Sequence, residues 1–245
     1  MKAMIALFSV LGAATSALAQ SMVTLSTESY PPFAYRNADG TYHGSSIEQV
    51  EMLMQKADIP FTMEIMPWAR AITLAEIQPM HCVFSAARIP ERENRFKWVT
   101  PISINRYVLV RLAGSPVKPR TIEEARRYTI GTHRADFTET LLREQAFPAI
   151  DLSADFGITL NKLLERRIDM APMSENIYEK LKSEGKPVEI ALPFSENHLG
   201  LACNKQMPDT LITRMQEALD ALIREKSQDE ILTRYGLKPL RLWAK

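Results

Sequence analysis

The feature that most restricts the fold of this chain is an alternation. From Val23 onward, short apolar runs of strand length trade places with amphipathic helical stretches. "VTLST" at 23–27 reads as a strand, and a helix over 46–57 puts Ile47, Val50, Leu53, Met54 and Ala57 on one face. "FTMEIM" alternates Phe61, Met63 and Ile65 as a half-buried strand, followed by a helix over 68–77 and the strand "HCVFSA". After Pro101 the order restarts with the strands "YVLVRL", "YTIGT", "AIDLS" and "IDMAPM", each followed by a helix. Ser45 with Glu48, Thr121 with Glu124, and Ser227 with Glu230 have capping-box spacing, and Gly185 and Gly236 suit helix ends. Strands alternating with helices imply βαβ units and a largely parallel sheet, so the chain is α/β with two lobes in series. No flexible linker separates them, which implies hinge strands and a cleft between the lobes. The stripe Leu211, Ile212, Met215, Leu219, Leu222 and Ile223 assigns the last long helix to packing.

The first residues stand apart from this pattern. "MKAMIALFSVLGAATSALAQ" has a basic start, an apolar stretch over 4–11 and a small-residue ending, which reads as a secretory signal peptide over 1–19 cleaved after Ala19. The mature chain is then expected in the periplasm. Without Lys2 its basic and acidic residues balance, which gives no electrostatic case for nucleic acid or a membrane surface. Cys82 and Cys203 both lie in apolar strand-like runs, so a disulfide and two buried thiols are equally compatible with the sequence.

Signals for chemistry are sparse. His43, His81, His133 and His198 are far apart, no Cys or His pair has metal-ligand spacing, and no P-loop, dinucleotide or nucleophile-elbow pattern occurs. No metal or cofactor is expected, and each histidine reads as surface or core. Binding features are better represented. "YPPFAY" holds Tyr30, Phe33 and Tyr35 around two stiffening prolines, and "MPWAR" sets Trp68 after Pro67 with Arg70 beyond. "SAARIPERENRFKWVTPI" carries Arg88, Arg92 and Arg95. Arg95 is spaced to pair with Glu91, which leaves Arg88 or Arg92 to hold an anion through a charge-assisted fork.

In this order, "YPPFAY…DGTYHGSSIEQVEML", "MPWARAI", "FSAARIPERENRFKWVTPI" and "RRIDMAPMSENIY" resemble the family 3 extracellular solute-binding proteins of bacterial amino-acid ABC importers. The segment beginning "PDTLITRMQEALDALIREK" resembles the C-terminal helices of that family. The resemblance implies the type II two-lobed periplasmic binding protein fold, with two mixed, mostly parallel sheets flanked by helices and two crossovers at the hinge. Lobe 1 would comprise 20–103 and the return segment 197–245, and lobe 2 would comprise 104–196. It also implies a monomeric, non-enzymatic protein that captures a small polar solute and delivers it to a membrane permease. Arg92 matches the arginine that grips the ligand carboxylate, Ser85 and Ala87 the strand-end contacts, and Tyr30 and Trp68 the aromatics around the ligand.

Departures from the family pattern also bear on the ligand. Positions that present acids to a ligand amine fall on Thr27 beside Glu28 and on Ser174 beside Glu175. The lobe 2 loop "HRADF" places Ala135, Asp136 and Phe137 where glycine and a hydroxyl residue are usual, with Arg134 as a second cation. An amino acid and a different small carboxylate both stay open as ligands. Two further readings share the scaffold: a cyclohexadienyl dehydratase-like enzyme with Glu28 or Glu175 as general acid, and a ligand sensor for a membrane partner.

Overall fold

The structure, a computed structural model, describes residues 22–238. The signal-peptide reading and its Ala19 cleavage point lie outside the described residues. In chain order the elements are β1 (Val23–Thr27), β2 (Tyr35–Arg36), β3 (Tyr42–His43), α1 (Ser45–Lys56), β4 (Phe61–Ile65), α2 (Trp68–Ile77), β5 (His81–Ala87) and α3 (Pro90–Glu93). Then come β6 (Lys97–Leu112), α4 (Ile122–Ala125), β7 (Ile130–His133), α5 (Phe137–Glu144), β8 (Ile150–Ser153), α6 (Phe156–Leu164), β9 (Met170–Ser174) and α7 (Glu175–Ser183). The last described elements are β10 (Val188–Cys203), α8 (Asp209–Arg224) and α9 (Ser227–Arg234).

The main strands form one mixed sheet in the order β4-β1-β5-β10-β6-β9-β7-β8. Pairing is parallel within β4-β1-β5 and within β9-β7-β8, and antiparallel where β10 meets β5 and β6 and where β6 meets β9. Each half is therefore a βαβ array, as the alternation implies, and the two are joined by the 16-residue strands β6 and β10. These two pair from Cys203 opposite Lys97 to Val188 opposite Leu112. Both are longer than the apolar runs "YVLVRL" and "LGLAC" suggest, because their middle stretches carry polar residues and a proline that hide the strand signal.

One core lies under α1 and α8, where Val50, Leu53, Met215 and Leu219 pack on Leu25 and Phe84. Beyond the crossing, Val110, Leu163, Met173 and Val188 share a second core, and Leu109, Ile130, Leu142 and Met170 a third. Among the described residues no helix is long and apolar enough to cross a membrane.

Capping departs from the sequence reading at two helices. α1 starts from Gly44 at φ 128, and the Ser45 hydroxyl is buried without a hydrogen-bond partner. A Cβ on Gly44 would lie 2.2 Å from the Phe33 carbonyl oxygen, so close packing fixes this residue. The Ser45 and Ser46 N–H groups donate to the Pro32 and Phe33 carbonyls, which replaces a side-chain cap with the loop backbone. Glu48 instead accepts from Tyr235 and Arg234. α9 starts from Lys226 in the left-handed region, without a side-chain cap from Ser227. Thr121 does cap its helix, accepting from the Glu124 N–H, and Asp136, Asp155 and Ser174 cap α5, α6 and α7.

Cys82 and Cys203 face each other on β5 and β10 and form a disulfide across 121 residues of chain. Cross-linking so long a loop removes much denatured-state entropy. Replacing both cysteines by alanine is expected to lower unfolding free energy by about 2–5 kcal/mol, measured by urea denaturation.

Candidate functional site

Where β6 and β10 pass between the two halves, residues from both sides enclose a cavity of about 40 Å³. Its wall is built first by the loop after β1. Tyr30 N–H donates to the Ala34 carbonyl and Phe33 N–H to that of Tyr30, so the proline-rich segment folds back on itself. The start of α1 then holds it through Pro32 and Phe33. Tyr30 reaches across the cleft, where its hydroxyl accepts from the Ser174 N–H at 3.2 Å and its ring meets Phe156 edge-on at 4.5 Å. Burial pushes the Tyr30 phenol above its ordinary pKa, so it stays neutral. Tyr107 is likewise raised, chiefly by burial, and packs edge-on against Phe137.

A single peptide group receives the second set of contacts. Trp68, buried at the start of α2, donates from Nε1 to the Ala135 carbonyl oxygen at 2.9 Å. Arg92, on α3 and only 3 % exposed, donates from Nη2 to the same oxygen at 2.8 Å and from Nη1 to the Ala87 carbonyl at 3.3 Å. Its guanidinium carbon lies 5.6 Å from the Trp68 ring centroid, within cation–π range. Burial pulls the Arg92 pKa down to about 10, partly offset by Asp136, so it remains charged at neutral pH. Ala135 sits in the left-handed region at φ 61, and its N–H donates to Glu139 Oε2 at 2.9 Å.

The polar floor is a trio. His133 Nε2 lies 3.1 Å from Glu28 Oε2 and 3.9 Å from Asp136 Oδ2, so Glu28 and His133 pair across the cleft. Burial alone would depress the His133 pKa, but Glu28 and Asp136 outweigh it and raise it to about 9. The imidazole is therefore a cation at neutral pH. The other Asp136 oxygen accepts from the Thr138 N–H and hydroxyl. Glu28, His133 and Asp136 are also the one group among the described residues whose donor atoms converge closely enough to hold a metal ion. In this geometry they form an ion-paired cluster.

Of the residues singled out in the sequence, Glu28, Tyr30, Trp68, Ser85 and Ala87 line the cavity from one side, and Asp136 and Phe137 from the other. Arg92 stands directly behind, through Ala87 and Ala135. Ser174 contributes its N–H to Tyr30 while its hydroxyl caps α7. Arg70, on α2, and Arg134, in the turn after β7, are exposed and do not line the cavity. Glu175 lies one residue past the strand end and borders a different pocket.

Two of the remaining arginines are taken up at the surface. Arg95 pairs with Glu76 instead of Glu91, and Arg88 with Glu93. The expectation that His133 is a packing or surface histidine is corrected, since it lines the cavity. Asn105, Tyr107, Thr138 and Phe156 also line it. None of them sits in a motif, because β6 and the α5 and α6 starts bring them together only in three dimensions.

A sequence model of the bacterial extracellular solute-binding proteins, family 3, matches residues 22–238. The chain belongs to this family. Solved structures similar to this family 3 protein include the arginine-, lysine-, histidine-binding protein ArtJ from Geobacillus stearothermophilus, at TM-score 0.79 and 19% identity, covering 89% of this chain and 97% of that one. A histidine kinase sensor domain with similarity to periplasmic binding proteins gives TM-score 0.80 at 15% identity, covering 89% and 98%. The ancestral amino acid-binding protein AncCDT-1, a precursor of cyclohexadienyl dehydratase, gives 0.75 at 15%, covering 87% and 94%. At these identities the likeness is one of fold, and it places this family 3 protein among two-lobed periplasmic binding proteins.

The Glu28–His133 pair makes stability depend on pH. His133 titrates at about 9 when folded against 6.5 for the free side chain. Its contribution is full below the lower value and is lost as pH rises through the upper one. The loss is expected to reach roughly 3 kcal/mol, at 1.36 kcal/mol per pKa unit. Thermal melts between neutral and alkaline pH should show a fall for the wild type that is absent in His133→Asn.

Proposed function

We propose that this family 3 protein captures a small polar solute, an amino acid or a related carboxylate, between two lobes and delivers it to the membrane permease of an ABC importer. In this reading it works in the periplasm as a non-enzymatic monomer. Lobe 1 is built from the residues up to 103 and from 197 onward, and lobe 2 from 104–196. The observation that carries the proposal is the enclosed cavity at the strand crossing. Aromatic rings and ion-paired groups from both halves converge there, in a chain of the solute-binding family.

Arg92 is the carboxylate-gripping residue in this proposal. It is a buried cation whose Nη atoms rest on the carbonyls of Ala87 and Ala135. Opening of the lobes withdraws the Ala135 carbonyl, and a ligand carboxylate replaces it with a stronger, charge-assisted pair. Thermal-shift screening against amino acids and small carboxylates identifies the ligand, because a ligand of the folded state raises apparent stability. Calorimetry should then find binding by Arg92→Ala weaker by about 100-fold or more, since each hydrogen bond to a charged group contributes roughly 1.5–3 kcal/mol. Unchanged affinity in that variant would remove Arg92 from the site.

A second reading draws on the Glu28 carboxylate, which lines the cavity and is paired there with His133. On a dehydratase-like route Glu28 is the general acid, whereas Glu175 lies outside the cavity. Incubation with prephenate or arogenate decides it: formation of an aromatic product that Glu28→Gln abolishes would establish an enzyme.

A further inference from the structure

The enclosed cavity is too small to hold the whole of the proposed solute. About 40 Å³ accommodates about three or four waters, at roughly 10–15 Å³ each. A second, larger space of about 720 Å³ adjoins it, and Glu28 and Phe156 line both. That volume lies within the range of sites that bury small molecules.

The walls of this groove are apolar and come from opposite sides of the cleft. Ile65, Met66 and Pro67 form one, and Leu160, Ile177 and Leu181 the other. The charged residues at its edge are already satisfied within their own helix. Lys180 pairs with Glu184 one turn along α7, and Asp155 Oδ1 accepts from the Ile158 N–H at the start of α6. Polar recognition is thus concentrated at the Glu28 end, beside His133 and Asp136, and the remainder of the groove is mostly apolar, with Ser29, Lys180 and Glu184 at its edge.

We infer that the solute is elongated and amphipathic, with a compact polar head in the enclosed cavity and an alkyl or aryl body lying in the groove between Met66 and Leu160. This rests on the solute-binding reading and narrows it. Glu28 and Phe156 are the junction between the two parts. A solute that ends at its polar head leaves the groove to water, whereas an apolar body covers what is exposed of Ile65 and Pro67 on one side and Leu160 on the other, and so binds each half of the protein. The groove therefore selects for chain length, and the cavity for head group.

The test uses the mature protein and three probe series: alanine, norvaline and 2-aminooctanoate; acetate, pentanoate and octanoate; ethylamine, pentylamine and octylamine. Calorimetry is expected to show, within the head-group series that binds, affinity rising about fourfold per added methylene, the equivalent of ~0.8 kcal/mol per buried CH₂. Leu160→Asn, on one wall, and Ile65→Thr, on the other, should each reduce the ratio of long-chain to short-chain affinity at least tenfold. Circular dichroism melts check that both variants fold. Affinity independent of chain length in the wild type, or an unaltered ratio in both folded variants, overturns the groove and leaves the solute-binding reading standing. Failure of every probe, together with an empty screen of polar solutes, overturns that reading and the groove with it.

Discussion

The structure depends first on the antiparallel pairing of β6 with β10. Each is a 16-residue strand, and among the described residues their ladder joins the two parallel arrays. All the groups that meet in the cavity do so because this ladder carries one array past the other. Its register shifts near Ile190, Pro193 and Leu199, and such irregularities locally bend and twist a strand pair. Gly200 belongs to the last of these: a Cβ there would come within 2.5 Å of the Val99 carbonyl. The two strands can approach this closely only because that residue has no side chain.

Around the crossing, the buried charged groups find partners within the protein. A guanidinium taken out of water is costly unless its donors are matched. Arg92 finds two carbonyls, and Trp68 shares one of them. His133 brings a compensating charge to two acids that would otherwise repel each other in the same enclosed space. The Ala135 peptide has both its groups committed, the carbonyl to the opposite side of the cleft and the N–H to Glu139. Interactions of this kind are directional, whereas the adjoining groove is walled mostly by side chains that recognise shape and apolar area. The two compartments thus divide selectivity between orientation and size.

The fold was legible in the sequence where periodicity carries information. Val50, Leu53 and Met54 mark α1, and Phe61, Met63 and Ile65 mark β4, because one face of each element is buried. It was hidden where strands cross between arrays, since Ser103 and Asn105 on β6 are polar yet buried. The site was legible where stiffened aromatics stand in sequence, at Tyr30 and Trp68. His133 was not, because its significance depends on Glu28, 105 residues away, and no local pattern encodes that pairing. The capping box at Ser45 misled for a related reason: the N–H donors it would satisfy are already taken by the Pro32 and Phe33 carbonyls.

The position of β10 has a consequence for how the molecule comes into being. Among the described residues it is the last strand in sequence and yet lies fourth in the sheet, between β5 and β6, where it also carries one half of the disulfide. Neither array can be joined to the other until residue 203 has been made. A nascent chain of this topology keeps the joining of its two arrays open until β10 is made, since contacts of high sequence separation form late. Such a polypeptide stays threadable for longer than one whose sheet grows from an early centre. Its final shape is locked by a segment made well after the strands that it joins.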